Sequence, residues 1–355
     1  MPVDVSLPRR ESKAGLGHRG FEIRSDPGLS YAEAAARRDF TINAMAVDPL
    51  ASELIDPFRG ARDLEARILR HTSDHFAEDP LRVLRGMQFA ARFECAVAPE
   101  TVKLCRAIEP EGLARERVFD EWKKLILQGV AISRGLAFLR DCAWIRHYPE
   151  LEALVGCAQE PDWHPEGDVW VHTLHCMDAF ARGRTGDARE DLIVGLAVLC
   201  HDFGKPATTA FEDGRIRSLG HEGAGEAPAR AFLGRMTNQE DLIDAVVPLV
   251  THHLRPQQYH EAGAGDGAIR RLARAVGRID RLVRVADADM QGRPGLPRKE
   301  FAAGAWLLAR AEALAVKDAA PKPLVMGRHL LALGFAPGPA LGALLAACYE
   351  AQLDG

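Results

Sequence analysis

Apolar and polar positions first alternate along this chain and then become helical in period. Val3, Val5 and Leu7 alternate with polar neighbours, and the glycine-rich stretch "KAGLGHRGFEI" follows. Together they predict strand, turn and strand over residues 1–24. From Tyr31 onward the segments "YAEAAARRDFTINAMAVDP", "DLEARILRH", "PLRVLRGMQFAARF", "PETVKLCRAI" and "ERVFDEWKKLILQG" predict helices, by apolar spacing or by residues that cap helix ends. Pro, Gly and acidic residues in "CAQEPDWHPEGD", residues 157–168, break that period and mark a boundary. A second helical module then runs to about residue 300, and "RPGLPRKE" and "DAAPKPLVMG" punctuate a last helical segment. The expected fold is mainly α, with few sheet partners for the first strands. Its expected divisions are 1–57, 58–156, 157–300 and 301–355.

Composition adds little to this outline. A chain of 355 residues with 47% apolar content has material for more than one core. The net charge is -5, and residues 1–130 hold 20 Lys+Arg against 21 Asp+Glu, so a nucleic-acid surface must come from clustering and not from overall charge. The seven cysteines form no C-x-x-C pair, and no apolar run reaches the ~18 residues of a membrane span. A reduced, soluble, cytoplasmic protein without a membrane partner is expected. Histidine is uneven, with eight of thirteen lying between His164 and His260.

That concentration marks candidate metal chemistry. "VWVHTLHCMD", "GLAVLCHDFGKP", "GHEGAG", "LVTHHL" and "ADADMQGR" carry imidazoles and carboxylates on successive helices. A divalent transition metal takes neutral imidazole nitrogens and carboxylate oxygens. One metal would take His172, His201, Asp202 and Asp289, while His221 with one of His252 or His253 would supply a second. Lys205 would balance phosphate charge, and phosphoester hydrolysis follows from a metal-bound water. His175 and Asp287 are better assigned to ordinary packing and surface.

The stretch "FAEDPLRVLRG", residues 76–86, carries a different pattern. Asp79 before Pro80 reads as a helix cap. Arg82 and Arg85 stand on one face near the positive end of the same helix, where arginine is not the favoured charge, so they call for an anion or a planar partner.

Two resemblances follow from these motifs. His172, His201-Asp202 and Asp289 in "DMQGR" resemble the ordered signature of the HD superfamily of metal-dependent phosphohydrolases. "ARRDFTINAMAVDP", "DPFRGARDL", "FAEDPLRVLRGMQFAARF" and "ERVFDEWKKLI" occur in the order found in class II tRNA nucleotidyltransferases, the bacterial CCA-adding enzymes and their poly(A) polymerase relatives. The likeness implies a polymerase-beta-like palm in 1–57, a helical neck and body in 58–156, an all-α HD domain in 157–300 and a C-terminal helical segment. It also implies addition of CCA to tRNA 3′ ends from CTP and ATP with Mg2+, beside hydrolysis of 2′,3′-cyclic and 2′-phosphates.

Within that resemblance, Arg38, Asp39 and Asn43 match positions that hold the nucleotide, and Arg85 one that contacts it. Glu116, Arg117, Glu121 and Lys124 match a motif that positions the primer. Asp79 with Arg82 offers an acceptor beside a donor, which suits the edge of cytosine or adenine and opposes that of uracil or guanine. Gln88 stands where many relatives carry arginine. The G-G-x-V-R-D turn and the D-x-D pair that hold magnesium in the family do not occur upstream of "RRDFTINA", and Asp4 falls where a third acid is expected. The chain is therefore expected to be N-terminally incomplete, with poor transfer as printed and a sheet edge open to pairing. A stand-alone HD phosphohydrolase with a degenerate tRNA-binding front half is the alternative, and a tRNA-binding protein without turnover is a third. Oligomeric state is left open, with a homodimer among the options.

Overall fold

A computed structural model of the chain describes residues 9–13, 21–26, 28–294 and 300–355. Val3, Val5, Leu7 and the candidate Asp4 lie outside the described residues. The chain divides into two compact units: Met1–Glu152 with Phe232–Asn238, and Ala153–Ala231 with Gln239–Gly355.

In the first unit Arg9–Lys13 pairs antiparallel with Phe21–Ser25, Glu11 opposite Ile23. A capping box starts the helix Tyr31–Ala35: Ser30 Oγ accepts from Glu33 N, and a Glu33 carboxylate oxygen accepts from Ser30 N. The helix expected to continue through Val47 stops there. Phe40 adopts an extended backbone and bridges His71, which lets its fully buried ring meet Phe76 and Phe89 edge-on at 5.4 and 5.8 Å. Burial of one aromatic outweighs the local helical preference of its neighbours. "DLEARILRH" is cut short in the same way. Its helix covers only Gly60–Glu65, Arg67 turns left-handed at φ 52°, and Ile68–Leu69 pairs in parallel with Ala96–Val97.

The remaining helices of this unit follow the apolar spacing. Leu81–Phe93 packs on Arg115–Gln128 and Ile132–Asp141, with Leu84, Met87, Leu125, Ile126, Ile132 and Leu136 fully buried. Trp122 is also fully buried, and its indole N–H donates to Tyr148 Oη at 3.1 Å, which satisfies its one polar atom.

In the second unit Ala188–Cys200 is buried along Asp191 to Cys200, as befits a central helix. Val169–Arg182, Glu240–His252 and Ile279–Gln291 pack against it. Asp168 caps the first of these through Val171 N at 2.9 Å, and Asp187 caps the central helix. This helical unit also holds a hairpin, Thr209–Glu212 with Arg215–Ser218, which turns at Asp213-Gly214, both left-handed. "DG" is the turn chemistry such hairpins use. The last helices are Ala302–Ala313, Gly327–Ala332 and Pro339–Asp354. Among the described residues every sheet has two strands, and no helix is long and apolar enough to cross a membrane.

Gly135 gives a test of the first core. Glycine to alanine within a helix ordinarily stabilises by roughly 0.5–1 kcal/mol. Here a Cβ would stand 2.4 Å from Met87 O and 2.9 Å from Leu125 Cδ1. The sign therefore reverses, and Gly135→Ala is expected to destabilise by about 1–3 kcal/mol in urea or thermal unfolding. Unchanged or raised stability would contradict this packing.

Candidate functional site

The histidine-rich site of the second unit begins with how each imidazole is held. His201 Nδ1 lies 2.7 Å from Val198 O, His221 Nδ1 2.7 Å from Ser218 O, and His253 Nδ1 2.7 Å from Val250 O. His172 Nδ1 lies 2.8 Å from Glu166 Oε1, which also takes His164 Nδ1 at 2.9 Å. A carbonyl or carboxylate can only accept, so each Nδ1 carries a proton and each Nε2 is turned to the opposite side, where it can bind a cation once it is deprotonated.

The Nε2 atoms of His172, His201, His221 and His253 converge with two carboxylates. His172 Nε2 is 3.0 Å from Asp289 Oδ1 and 3.9 Å from Asp202 Oδ2. His201 Nε2 is 3.2 Å from Asp202 Oδ2, and His221 Nε2 is 3.4 Å from Asp202 Oδ1. His221 and His253 bring their Nε2 atoms to 3.3 Å, two lone pairs facing one another. His201 Nε2 and Asp202 Oδ2 are buried without a well-directed hydrogen bond. Gly204 allows this approach, since a Cβ there would meet His221 O at 2.0 Å.

A buried set of lone pairs with orphaned atoms fits a divalent cation. Donor atoms within 4.8 Å of one another fall into three groups: His172, Cys176, His201 and Asp289; Asp202, His221 and His253; and His164, Glu166 and His172. The protons of a metal-free cluster are correspondingly displaced. Burial opposes charge on His201, but the Asp202 carboxylate more than offsets it and raises the ring to about 10. Burial and the neighbouring His201 and His221 push His253 down to about 3. Burial opposes ionisation of Asp202, yet His201 and Lys205 hold it well below the usual carboxylate range. Asp289 behaves alike, with Arg293 and His172 offsetting its burial.

A cavity of about 270 Å3 opens on this cluster. Lys205 Nζ reaches it, 2.8 Å from Asp202 Oδ2 and 2.7 Å from Gln159 Oε1. Arg293 lines it too, 3.0 Å from Asp289 Oδ1. The site thus pairs metal-ready donors with two cations suited to a phosphoester.

Of the sequence candidates, His172, His201, Asp202, Asp289, His221, His253 and Lys205 are brought together. His252 is not, because its Nδ1 faces Pro248 O at 2.9 Å and Thr251 Oγ1 at 2.9 Å. Asp287 lies apart and accepts from Gln291. Cys176, Glu166, His164 and Arg293 were missed. Cys176 follows His172 by four residues on one helix, a spacing that places both on one face, and Arg293 closes the "DMQGR" phrase itself. Cys176 differs from the other interior thiols. Burial raises Cys105, and pushes Cys142 to about 11, whereas His172 and His201 outweigh burial and lower Cys176.

The candidate residues of the first unit form a belt of matched charges. Asp79 Oδ1 accepts from Leu81 N at 3.1 Å, and Pro80 has helical dihedrals, so the aspartate caps Leu81–Phe93. Asp79 Oδ2 accepts from Arg117 at 2.8 Å. Arg85 donates to Asp39 Oδ2 at 2.6 Å, and Asn43 to Asp39 Oδ1 at 3.0 Å. Arg82 donates to the carbonyls of His75 and Arg37, both at 2.6 Å. The partners that Arg82 and Arg85 call for are thus supplied by the chain, and Asp79 pairs with Arg117 and not with Arg82. Arg38 is exposed, apart from this belt. Glu121 is 2% exposed and held by Lys124 at 2.8 Å, so this carboxylate is packed inside. Gln88 is buried and accepts from Arg92 at 3.0 Å. Among the described residues, no cluster of three metal-ligating groups falls in this unit.

Comparison with known proteins places the chain. Residues 6–70 match the family model described as the Poly A polymerase head domain. A multifunctional CCA protein of Laribacter hongkongensis is 40% identical over 305 residues, covering 82% of this chain and 72% of that protein. Another, from Xanthomonas campestris, is 36% identical over 367 residues, covering 99% and 84%. The fold is similar to that of the Bacillus stearothermophilus CCA-adding enzyme solved in complex with CTP, with a TM-score of 0.61 at 22% identity over 94% of this chain and 72% of that one. With identity of this extent along nearly its whole length, the chain belongs to the multifunctional CCA protein family.

Proposed function

We propose that the first unit serves addition of CCA to tRNA 3′ ends from CTP and ATP, and that the second hydrolyses 2′,3′-cyclic and 2′-phosphoesters in the cytoplasm. The observation that carries the first part is the 36% identity to a multifunctional CCA protein over 99% of the chain. The chemistry of Asp79 and Arg82 supports it. Both are held by hydrogen bonds at the mouth of one helix, which limits the entropy lost when a base edge docks. An acceptor beside a donor rewards cytosine and adenine, and each mismatched buried group costs about 1–3 kcal/mol. Arg85 with Asp39 and Asn43 orients the nucleotide, and Arg117, Glu121 and Lys124 brace the helix that faces the primer. Mg2+ for transfer belongs to acids of the palm.

The observation that carries the second part is the convergence of orphaned Nε2 and carboxylate atoms in a phosphate-sized cavity lined by Lys205 and Arg293. His172, His201, Asp202 and Asp289 would hold one transition metal, and Asp202, His221 and His253 a second. When bound, such an ion lowers the pKa of its water and supplies a nucleophile near neutral pH. Lys205 and Arg293 stabilise charge on the phosphoryl oxygens.

Three tests follow. Addition is assayed on this chain and, in parallel, on an extended chain in which a relative's G-G-x-V-R-D segment is fused ahead of it. With CTP, ATP and magnesium, tRNA lacking its terminal CCA is expected to gain C and A from the extended chain; no gain would overturn the proposal. Exchanging Asp79 and Arg82 is expected to reduce discrimination against UTP and GTP on the order of a hundredfold. For hydrolysis, release of phosphate from 2′-AMP with Co2+ or Zn2+ is expected, and His201→Ala is expected to abolish it. Full activity in that variant would refute the assignment.

Glu166 provides the fourth. Burial opposes its ionisation, but hydrogen bonds from His164 and His172 more than offset this and hold the carboxyl at about 2, below its usual 4.5. A lowered folded value means that its stabilisation is complete above pH 4.5 and fades as pH falls toward 2. Metal-free Glu166→Gln is therefore expected to lose less stability than the parent between pH 5 and 3. Its metal affinity, by calorimetry at neutral pH, is expected to fall roughly 10–100-fold. Parallel acid profiles and equal affinities would exclude the role.

A further inference from the structure

We infer that Cys176 is a thiolate ligand of the metal site, adding a soft donor beside His172, His201 and Asp289, and that this donor selects Zn2+ and Co2+ over hard divalent cations. This rests on the reading that the second unit holds a divalent ion, and it goes beyond the His/Asp ligands that the motif supplies.

Position comes first. Cys176 lies one helical turn after His172 on Val169–Arg182, so both side chains leave the same face. Its Sγ is 3.2 Å from His172 Nε2, the same nitrogen that stands 3.0 Å from Asp289 Oδ1. One donor atom from each of the four residues falls within 4.8 Å of the others, and all four residues are buried. A tetrahedral zinc with Zn–S about 2.3 Å and Zn–N about 2.0–2.1 Å needs donors roughly 3.3–3.6 Å apart. Sulfur and nitrogen are therefore already near the separation that a shared ion imposes.

A second observation is independent of the sulfur. His201 Nε2 is buried without a hydrogen bond, its Nδ1 being occupied by Val198 O. That nitrogen lies in the same group, within 4.8 Å of the other three donor atoms. The surrounding backbone is also shaped to the sulfur. A Cβ on Gly292 would come 2.3 Å from Cys176 Sγ and 3.0 Å from Cys176 N. Only glycine lets the turn after Asp289 close against this thiol, and Sγ sits 3.8 Å from Asp289 O.

The chemical consequence is selectivity. Carboxylate and imidazole alone accept Mg2+, Mn2+ and later metals, whereas a soft thiolate favours Zn2+ and Co2+. Binding releases the thiol proton to solvent, and no redox step is involved.

The test loads the full chain with Co2+ or Zn2+ and measures bound metal by mass spectrometry. The Co2+ form is expected to show a near-ultraviolet sulfur-to-cobalt charge-transfer band that C176S lacks and C348S keeps. C176S is expected to bind Zn2+ on the order of tenfold or more weakly. X-ray absorption on the Zn2+-loaded parent needs no variant, and one sulfur near 2.3 Å is expected. Stoichiometric metal with only nitrogen and oxygen neighbours and no charge-transfer band would overturn the thiolate while leaving the metal site standing. No bound metal in the parent would overturn both.

Discussion

An imidazole offers one lone pair when its other nitrogen is protonated, and which side faces inward depends on where that proton is tied. In this protein the tie is repeated. His201, His221 and His253 each give Nδ1 to the carbonyl three residues earlier, and His172 gives its own to Glu166. His201 and His253 directly follow the helices Ala188–Cys200 and Glu240–His252. Carbonyls in the last turn of a helix lack intrahelical partners, so they are free to accept. The helix ends thus orient the rings, and the rings define the site. Without those ties the Nε2 atoms could satisfy themselves by rotation, and the buried cluster would lose its demand for a cation.

The demand has a cost that the rest of the unit offsets. Asp202 and Asp289 are almost wholly buried, and an unpaired buried carboxylate is strongly unfavourable. Lys205 and Arg293 each neutralise one of them while reaching the same cavity. The central helix supplies the apolar burial that holds His201 and Asp202 at its end. The same four charged groups therefore set both the stability of this buried cluster and the charge that its cavity presents, and removing either cation would affect both.

Much of this was legible in the sequence. Apolar spacing located Leu81–Phe93 and Arg115–Gln128, and ordered His, His-Asp and Asp located the second-unit cluster. What remained hidden was tertiary. "TINAMAVDP" reads as helix by local preference, but Phe40 requires an extended backbone to bury its ring. "THHL" presents two equivalent histidines, and only the end of the Glu240–His252 helix decides that His253 turns inward. Cys176 stood at helical spacing from His172, yet a lone cysteine in a helix is usually packing; its meaning depends on the turn that Gly292 lets close against it. Arg82 called for an anion or a planar partner by its helix position and met the carbonyls of nearby His75 and distant Arg37 instead.

The two units handle buried charge in opposite ways, and the difference suits different chemistry. In the first, Asp39 meets Arg85, Asp79 meets Arg117, Asp63 meets Arg70 and Glu78 meets Arg37. Each acid has its own guanidinium, so the belt is close to neutral and its side chains are fixed by charge-assisted bonds. Recognition of an uncharged base edge needs that rigidity and gains nothing from excess charge. In the second unit several imidazoles share two buried carboxylates, and Lys205 and Arg293 are the cations beside them. The two arrangements lie in separately packed units, which is the division that the contacts of this chain draw.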